Sequence, residues 1–245
     1  MDQQRELVYK DAAIMLRDGR VEFAMPLTRQ EIDTWVFDLD NTLYPATSNL
    51  FPQISARMGR FIAGRFGLET EAARALQKQL FRAHGTTLRG LMVEHAVDPH
   101  EFMDYVHDID LSGLAPDTAL TEALAALPGR KLVYTNGSRR HADRVLGHLG
   151  LAEHVAGVFD IADAGFIPKP DPAGYHALIT RFGIEPRRAV MVEDMARNLQ
   201  PAAALGMATV LVCTGNDWAA EGAAGDWIQH RTDDLAGWLA ALPGG

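Results

Sequence analysis

Apolar residues fall along this chain in two rhythms. Five short runs are apolar at nearly every position: Thr34–Asp38, Lys131–Thr135, Gly157–Ile161, Ala189–Glu193 and Ala208–Val212. A strand buried on both faces has no polar side to alternate with, so these runs predict the strands of a parallel sheet. Elsewhere apolar residues recur at helical spacing. His141 to Leu149 predicts a helix with Ser138 as its N-cap. Asp171 caps another, with Pro172 at the first position and Tyr175, Leu178, Ile179 and Phe182 on one face. Leu235, Trp238, Leu239 and Leu242 repeat that spacing near the end. Strands alternating with helices predict an open α/β sheet.

One long stretch breaks the alternation. From about Pro45 to Pro128 no run reads as a strand. Ile54, Met58, Phe61 and Ile62 share a helical face, Leu76 and Leu80 mark a second helix, and Leu120, Ala123, Leu124 and Leu127 a later one. The pattern predicts a helical cap over residues 46–128, inserted after the first strand at the strand ends where such sheets bind ligands. The core is then expected over 32–45 and 129–245. Residues 1–31 read as a loosely attached extension, in which Ala12, Ala13, Ile14 and Leu16 suggest a short helix.

Composition narrows the classes. At 245 residues, 47% apolar and 22% charged, the chain has the make-up of a globular protein. Its most apolar stretch, Ala202 to Cys213, is far short of the roughly 20 residues that a membrane helix needs. Lys and Arg number 23 against 32 Asp and Glu, a net charge of −9, which disfavours binding to a nucleic-acid polymer. The single cysteine, Cys213, excludes an intramolecular disulfide and reads as a small buried residue. Nothing at the start reads as a secretory signal, so a cytoplasmic location is expected, as a monomer or homodimer. Trp218, Trp227 and Trp238 read as packing residues, and Asp226, Asp233 and Asp234 as a solvated surface.

The chemistry concentrates at Val36 to Tyr44. Asp38 and Asp40 stand two apart at the end of a buried strand, on the same side while strand geometry lasts. One carboxylate there can attack, the other can move a proton, and both can approach a cation. Three further strand ends carry polar groups: Thr135 and Asn136, then Lys169 before Pro170, then Glu193 and Asp194 with Asn198 four residues on.

These four motifs, in this order, resemble the haloacid dehalogenase superfamily over about residues 33–215. The resemblance implies a Rossmann-like core and a phosphomonoester hydrolase. It makes Asp38 the nucleophile that forms an aspartyl-phosphate, and Asp40 the acid and then the base. Thr135, the Asn136 amide and Lys169 would hold the phosphoryl group. Magnesium would sit on Asp38, the Asp40 carbonyl and Asp194, with Glu193 acting through a water. Four carboxylates so close are expected to raise at least one pKa, and Asp40 is the expected proton holder. Glu193 stands where Asp or Gly is common in the fourth motif, and Asn198 where Asp is frequent. The dehalogenase branch lacks the second Asp and needs no metal, so Asp40 and Asp194 argue against dehalogenation.

Tyr44-Pro45, with His84 to Leu91 and Asp104 to Asp110, resembles the pyrimidine 5′-nucleotidase branch, whose members release phosphate from UMP and CMP. Asn49, Thr86, Thr87, Arg89 and His107 are then the candidates for contacts to a nucleoside monophosphate. The rivals are a phosphatase for phosphoglycolate or sugar phosphates, a phosphomutase, for which no signature is seen, and a non-catalytic binding module, which has no need of a nucleophile.

Overall fold

The computed structural model describes residues 13–15, 21–23, 29–215, 219 and 221–243. Ala13–Met15 (β1) and Val21–Phe23 (β2) pair antiparallel as a hairpin. The expectation of a helical turn at Ala13 and Ile14 is therefore corrected. Ala12 and Leu16 lie outside the described residues. Where the extension meets the core it is held. The Arg29 backbone amide donates to the Pro243 carbonyl, and its guanidinium to the carbonyls of Leu239 and Ala240.

The core is a parallel sheet of β3 (Thr34–Phe37), β4 (Arg130–Tyr134), β5 (Gly157–Phe159), β6 (Ala189–Glu193), β7 (Ala208–Val212) and β8 (His230–Thr232). Their order is β5-β4-β3-β6-β7-β8. Five were expected. The sixth, β8, is a three-residue polar edge strand with no apolar run to announce it. The chain leaves β3 for β4 on one side and later places β6 on the other. The loops after β3, β4 and β6 therefore open around one crevice, the ligand site of doubly wound sheets.

Alternation along β3 divides the core. Trp35 and Phe37 pack on one face, with Leu120, Leu124, Val145 and Leu239, while Val36 packs on the other, with Leu132, Met191, Tyr175 and Leu199. Helices cover both faces. They are α5 (Thr118–Ala126), α6 (Arg139–Leu149), α7 (Pro172–Phe182), α8 (Ala196–Ala204) and α9 (Leu235–Ala241). Ser138 and Asp171 cap α6 and α7 through the amides of His141 and Ala173.

Between β3 and β5's neighbour β4 lie α1 (Leu50–Phe66), α2 (Thr70–His84), α3 (Thr87–His95) and α4 (Pro99–Val106), with α5 after them. Helices α1 to α4 pack on one another, whereas α5 packs against the terminal α9. Helices α3 and α4 were not read from the sequence, although Thr86 and Asp98 cap them in the ordinary way.

Cys213 is exposed, which corrects its buried reading: it stands one residue past the end of β7, where the sheet opens to solvent. Trp227 packs on the α8 side of the sheet and donates to the Ala196 carbonyl, and Trp238 packs on the opposite cluster. Trp218 lies outside the described residues.

One close approach in the core makes a prediction. The buried Tyr134 hydroxyl has no hydrogen-bond partner and lies where a Cβ on Gly174 would stand. Alanine gains up to about 1 kcal/mol of helix propensity. The collision costs about 1–3 kcal/mol. Gly174→Ala is therefore expected to lower the denaturation midpoint, and adding Tyr134→Phe to recover part of the loss. A single variant as stable as the parent would contradict this packing.

Candidate active site

Three strand ends meet at the floor of a cavity of about 450 Å³. Asp38 follows β3 and Thr135 follows β4, while Glu193 closes β6 and Asp194 follows it. Lys169 arrives from the loop before α7, tied by its backbone amide to the Asn136 side-chain oxygen at 2.9 Å. Its buried ammonium donates to Asp38 Oδ1 at 2.6 Å, to Glu193 Oε2 at 2.7 Å and to the Tyr134 carbonyl at 2.9 Å. Those three bonds use all its donors. Burial alone would lower Lys169. Asp38 and Glu193 outweigh it and hold the ammonium above its ordinary value.

The carboxylates are not equivalent. Burial, then repulsion from Glu193, pushes Asp38 up to about 7 against the pull of Lys169. Burial, Glu193 and Asp38 push Asp194 up to about 9. Asp38, Glu193 and Asp194 bring ligand oxygens within 4.8 Å of one another. Glu193 spends one oxygen on Lys169 and the other on the Asn198 amide at 2.8 Å. Asp194 Oδ2 is buried with no hydrogen-bond partner. An orphaned carboxylate oxygen beside two other buried carboxylates is a donor set that fits a hard cation.

Asp40 departs from expectation. Burial would raise it, but the His141 ring at 2.8 Å, the Tyr44 hydroxyl at 2.5 Å and the more distant His107 together hold it below the usual carboxylate range. Asp40 is therefore ionised at rest, and the expectation that it holds the shared proton is corrected. The raised proton affinity lies instead on Asp38, where burial and Glu193 outweigh the Lys169 ammonium, and on Asp194, whose Oδ2 has no partner. Neither His141 nor the Tyr44 bond was read from the sequence as part of the site. The signal for His141 was its place in the first turn of α6, just after Thr135 and Asn136.

Other expected residues divide. Thr135, Asn136, Thr86, Thr87 and His107 line the cavity. Thr135 Oγ1 accepts from the Gly137 amide at 2.9 Å. His107 is buried, bonds Ser138 Oγ at 2.9 Å and stacks on His141 at 4.3 Å. Burial, then His141, pushes it down to about 3. Asn49 is an exposed left-handed residue before α1, outside the lining. Arg89 also lies outside it, in the first turn of α3, its backbone amide capped by Thr86. The cavity's upper wall is apolar, with Phe51, Ile54, Met58, Phe81, Phe102 and Met103.

Residues 32–206 match the family described as haloacid dehalogenase-like hydrolase. The chain belongs to that family. The polar residues at the ends of β3, β4 and β6, with the buried Lys169 between the last two in sequence, agree with the membership. Among curated proteins, this hydrolase is 27% identical over 193 residues to Phosphate metabolism protein 8 of Saccharomyces cerevisiae, covering 71% of this chain and 60% of that protein. It thus spans less than two thirds of that relative's length. In structure it is similar to a HAD phosphatase from Thermococcus onnurineus, with TM-score 0.62 at 18% identity over 87% of this chain and 99% of the other. It is also similar to a 2-haloacid dehalogenase from Pseudomonas syringae pv. Tomato, with TM-score 0.55 at 20% identity over 86% and 98%. At such identities the likeness speaks for the fold alone. Among the described residues no helix is long and apolar enough to cross a membrane.

Proposed function

We propose that this hydrolase is a magnesium-dependent phosphomonoesterase acting through an aspartyl-phosphate on Asp38, with pyrimidine nucleoside monophosphates as substrates. The observation that carries the reading is the cavity floor: Asp38 gripped by Lys169, Asp40 two residues on, and Asp194 with an unsatisfied buried oxygen. Asp40 and Asp194, which the resemblance makes unnecessary for dehalogenation, line the same cavity and support a phosphatase reading. A cavity of about 450 Å³ also suits a nucleotide-sized ligand.

In this reading Asp38 attacks phosphorus as the ester P–O bond breaks, and Asp40 protonates the departing oxygen. Asp40 is ionised at rest, so its proton arrives with substrate, whose negative charge raises its proton affinity. Water then attacks the aspartyl-phosphate, Asp40 takes back a proton, and Asp38 is released. Lys169 neutralises Asp38 and faces the incoming phosphoryl group. The Thr135 hydroxyl and the Asn136 amide supply donors. Asp38, Asp194 and the Asp40 carbonyl would hold magnesium, with Glu193 behind them. When bound, the ion supplies positive charge against the phosphoryl oxygens. Helices α1 to α4 would close over the substrate and exclude water.

The substrate test is phosphate release with magnesium from CMP, UMP, AMP, GMP, phosphoglycolate and glucose 6-phosphate. Preference for CMP and UMP supports the nucleotidase reading. A second reading, a phosphatase for charged small metabolites, has its own observation. Lys78, Arg82 and Arg197 line the cavity wall, and among the described residues none has an ion pair. Preference for phosphoglycolate would favour it.

The metal makes a separate prediction. Burial and the neighbouring carboxylates push Asp38 up to about 7 and Asp194 up to about 9 when folded, against 3.8 ordinarily. Protons held by the folded state stabilise it at low pH, and that stability is lost as pH rises through these values. In chelator, Tm is expected to fall between pH 5 and 9. Magnesium at about 100 times its dissociation constant should restore about 2.7 kcal/mol. Its effect should be larger at pH 9 than at pH 5 and much weaker in Asp194→Asn. A Tm indifferent to magnesium would remove the metal from this reading.

A further inference from the structure

Asp40 is held in a way that distinguishes its two oxygens. His141 Nε2 lies 2.8 Å from Oδ1, and the Tyr44 hydroxyl donates to the same Oδ1 at 2.5 Å. Both contacts therefore fall on one oxygen of Asp40. Oδ2 is left for other partners. It faces Gly137 in the turn after Thr135, where an added Cβ would stand 3.7 Å from it. That turn lines the cavity.

His141 is itself tightly placed. It is fully buried, and Ser138 Oγ accepts from its backbone amide. The same Oγ bonds His107 Nδ1, and the His107 ring lies on the His141 ring, 4.3 Å between centroids and 13° from parallel. His107 follows α4 and His141 belongs to α6, so the ring is clamped from both sides of the crevice. Its Nδ1 is buried with no partner. An unsatisfied buried polar atom is destabilising, and a space-filling Leu would avoid that cost. Packing alone does not account for a histidine here.

We propose that His141 is a positioning residue: it fixes Asp40 through Oδ1, so that Oδ2 alone exchanges the proton with the leaving oxygen and then with water. The inference rests on the phosphomonoesterase reading. In the first half-reaction the Asp38–phosphorus bond forms, the ester bond breaks, and the proton on Asp40 Oδ2 passes to the departing alkoxide. In the second, water's oxygen bonds phosphorus, its proton passes to Oδ2, and the Asp38–phosphorus bond breaks. Asp40 ends as it began.

A misplaced acid matters only when the leaving group needs a proton. The test is therefore the leaving-group dependence of kcat/KM, which reports steps only through departure of the leaving group. The full-length protein with magnesium is assayed on its best alkyl phosphomonoester and on 4-nitrophenyl phosphate, whose phenolate leaves unprotonated. His141→Leu is expected to lose about 100-fold on the alkyl ester, within the range for general acid catalysis, and about threefold or less on the aryl ester. His141→Gln, which returns a donor near Nε2, should recover most of the alkyl activity. Tyr44→Phe removes the other donor to Oδ1 and gives the same asymmetry in smaller measure, even if the Leu variant folds poorly. Equal losses on both esters in the folded variants would make His141 a scaffold residue and overturn the proposal, as would no loss on either. Failure of the parent protein to release phosphate from any ester would instead overturn the phosphomonoesterase reading, and this inference with it.

Discussion

Asp38→Asn is expected to abolish magnesium-dependent phosphate release while leaving the protein folded. Uncatalysed phosphomonoester hydrolysis is among the slowest reactions known, with accelerations of up to about 10²¹-fold required. Loss of a covalent nucleophile removes the pathway rather than one contact within it, and rates fall by about 10⁶-fold in such cases. Asparagine has the same shape, and its Oδ1 can still accept from the Lys169 ammonium that now stands 2.6 Å from Asp38. It also removes a buried charge that Glu193 and Asp40 repel. The variant should therefore melt at or above the temperature of the parent. A second measurement separates this role from simple binding: the parent should take up phosphate label at residue 38 from substrate, and the variant none. Turnover within about 100-fold of the parent would rule out Asp38 as the nucleophile.

The other large effect is expected at Lys169. Its ammonium is the shared partner of Asp38 and Glu193, all three buried. Such a group adds little net stability compared with an apolar replacement of the whole, because desolvation offsets the Coulomb gain. Removing one partner is different, since it strands the others. Lys169→Met should cost about 3–5 kcal/mol. For a chain of this size that is a fall in Tm of roughly 6–20 °C, measured in chelator at pH 8. The fall should shrink at pH 5, where Asp38 takes up a proton more readily. Adding Glu193→Gln should return much of the stability and none of the activity, since the phosphoryl group still lacks its cation. A Lys169→Met protein that melts with the parent would mean that the three charges are not coupled as the distances indicate.

Much of this molecule is legible along the chain, for a physical reason. Strands buried on both faces must be apolar throughout, so β3, β4, β6 and β7 announce themselves, and the reactive groups follow directly at the ends of three of them. Caps are equally local: Ser138 and Asp171 satisfy amides two or three residues on. Elements that depend on their neighbours were hidden. The polar edge strand β8 exists because β7 offers it hydrogen bonds. The hairpin at Ala13–Met15 likewise forms by pairing with Val21–Phe23, although its composition suggested helix.

Sequence by itself determined the order of the parallel strands' motifs, the run of helices between the first two of them, the residue types Asp38, Asp40, Thr135 and Asp194 at the strand ends, and Lys169 in a loop. These are short-range facts of periodicity and position. Tertiary structure alone decided which charges face which. Asp40 and His141 are 101 residues apart, and Lys169 and Asp38 are 131 apart. Only the fold brings two donors onto Asp40 and leaves the buried Asp194 Oδ2 with none among the described residues. Together with burial and Glu193, that contrast raises the proton affinity of Asp38 and Asp194 and lowers that of Asp40, where sequence had pointed to Asp40. Proton affinity depends on burial and on neighbours in space, and neither is written into a residue's local surroundings.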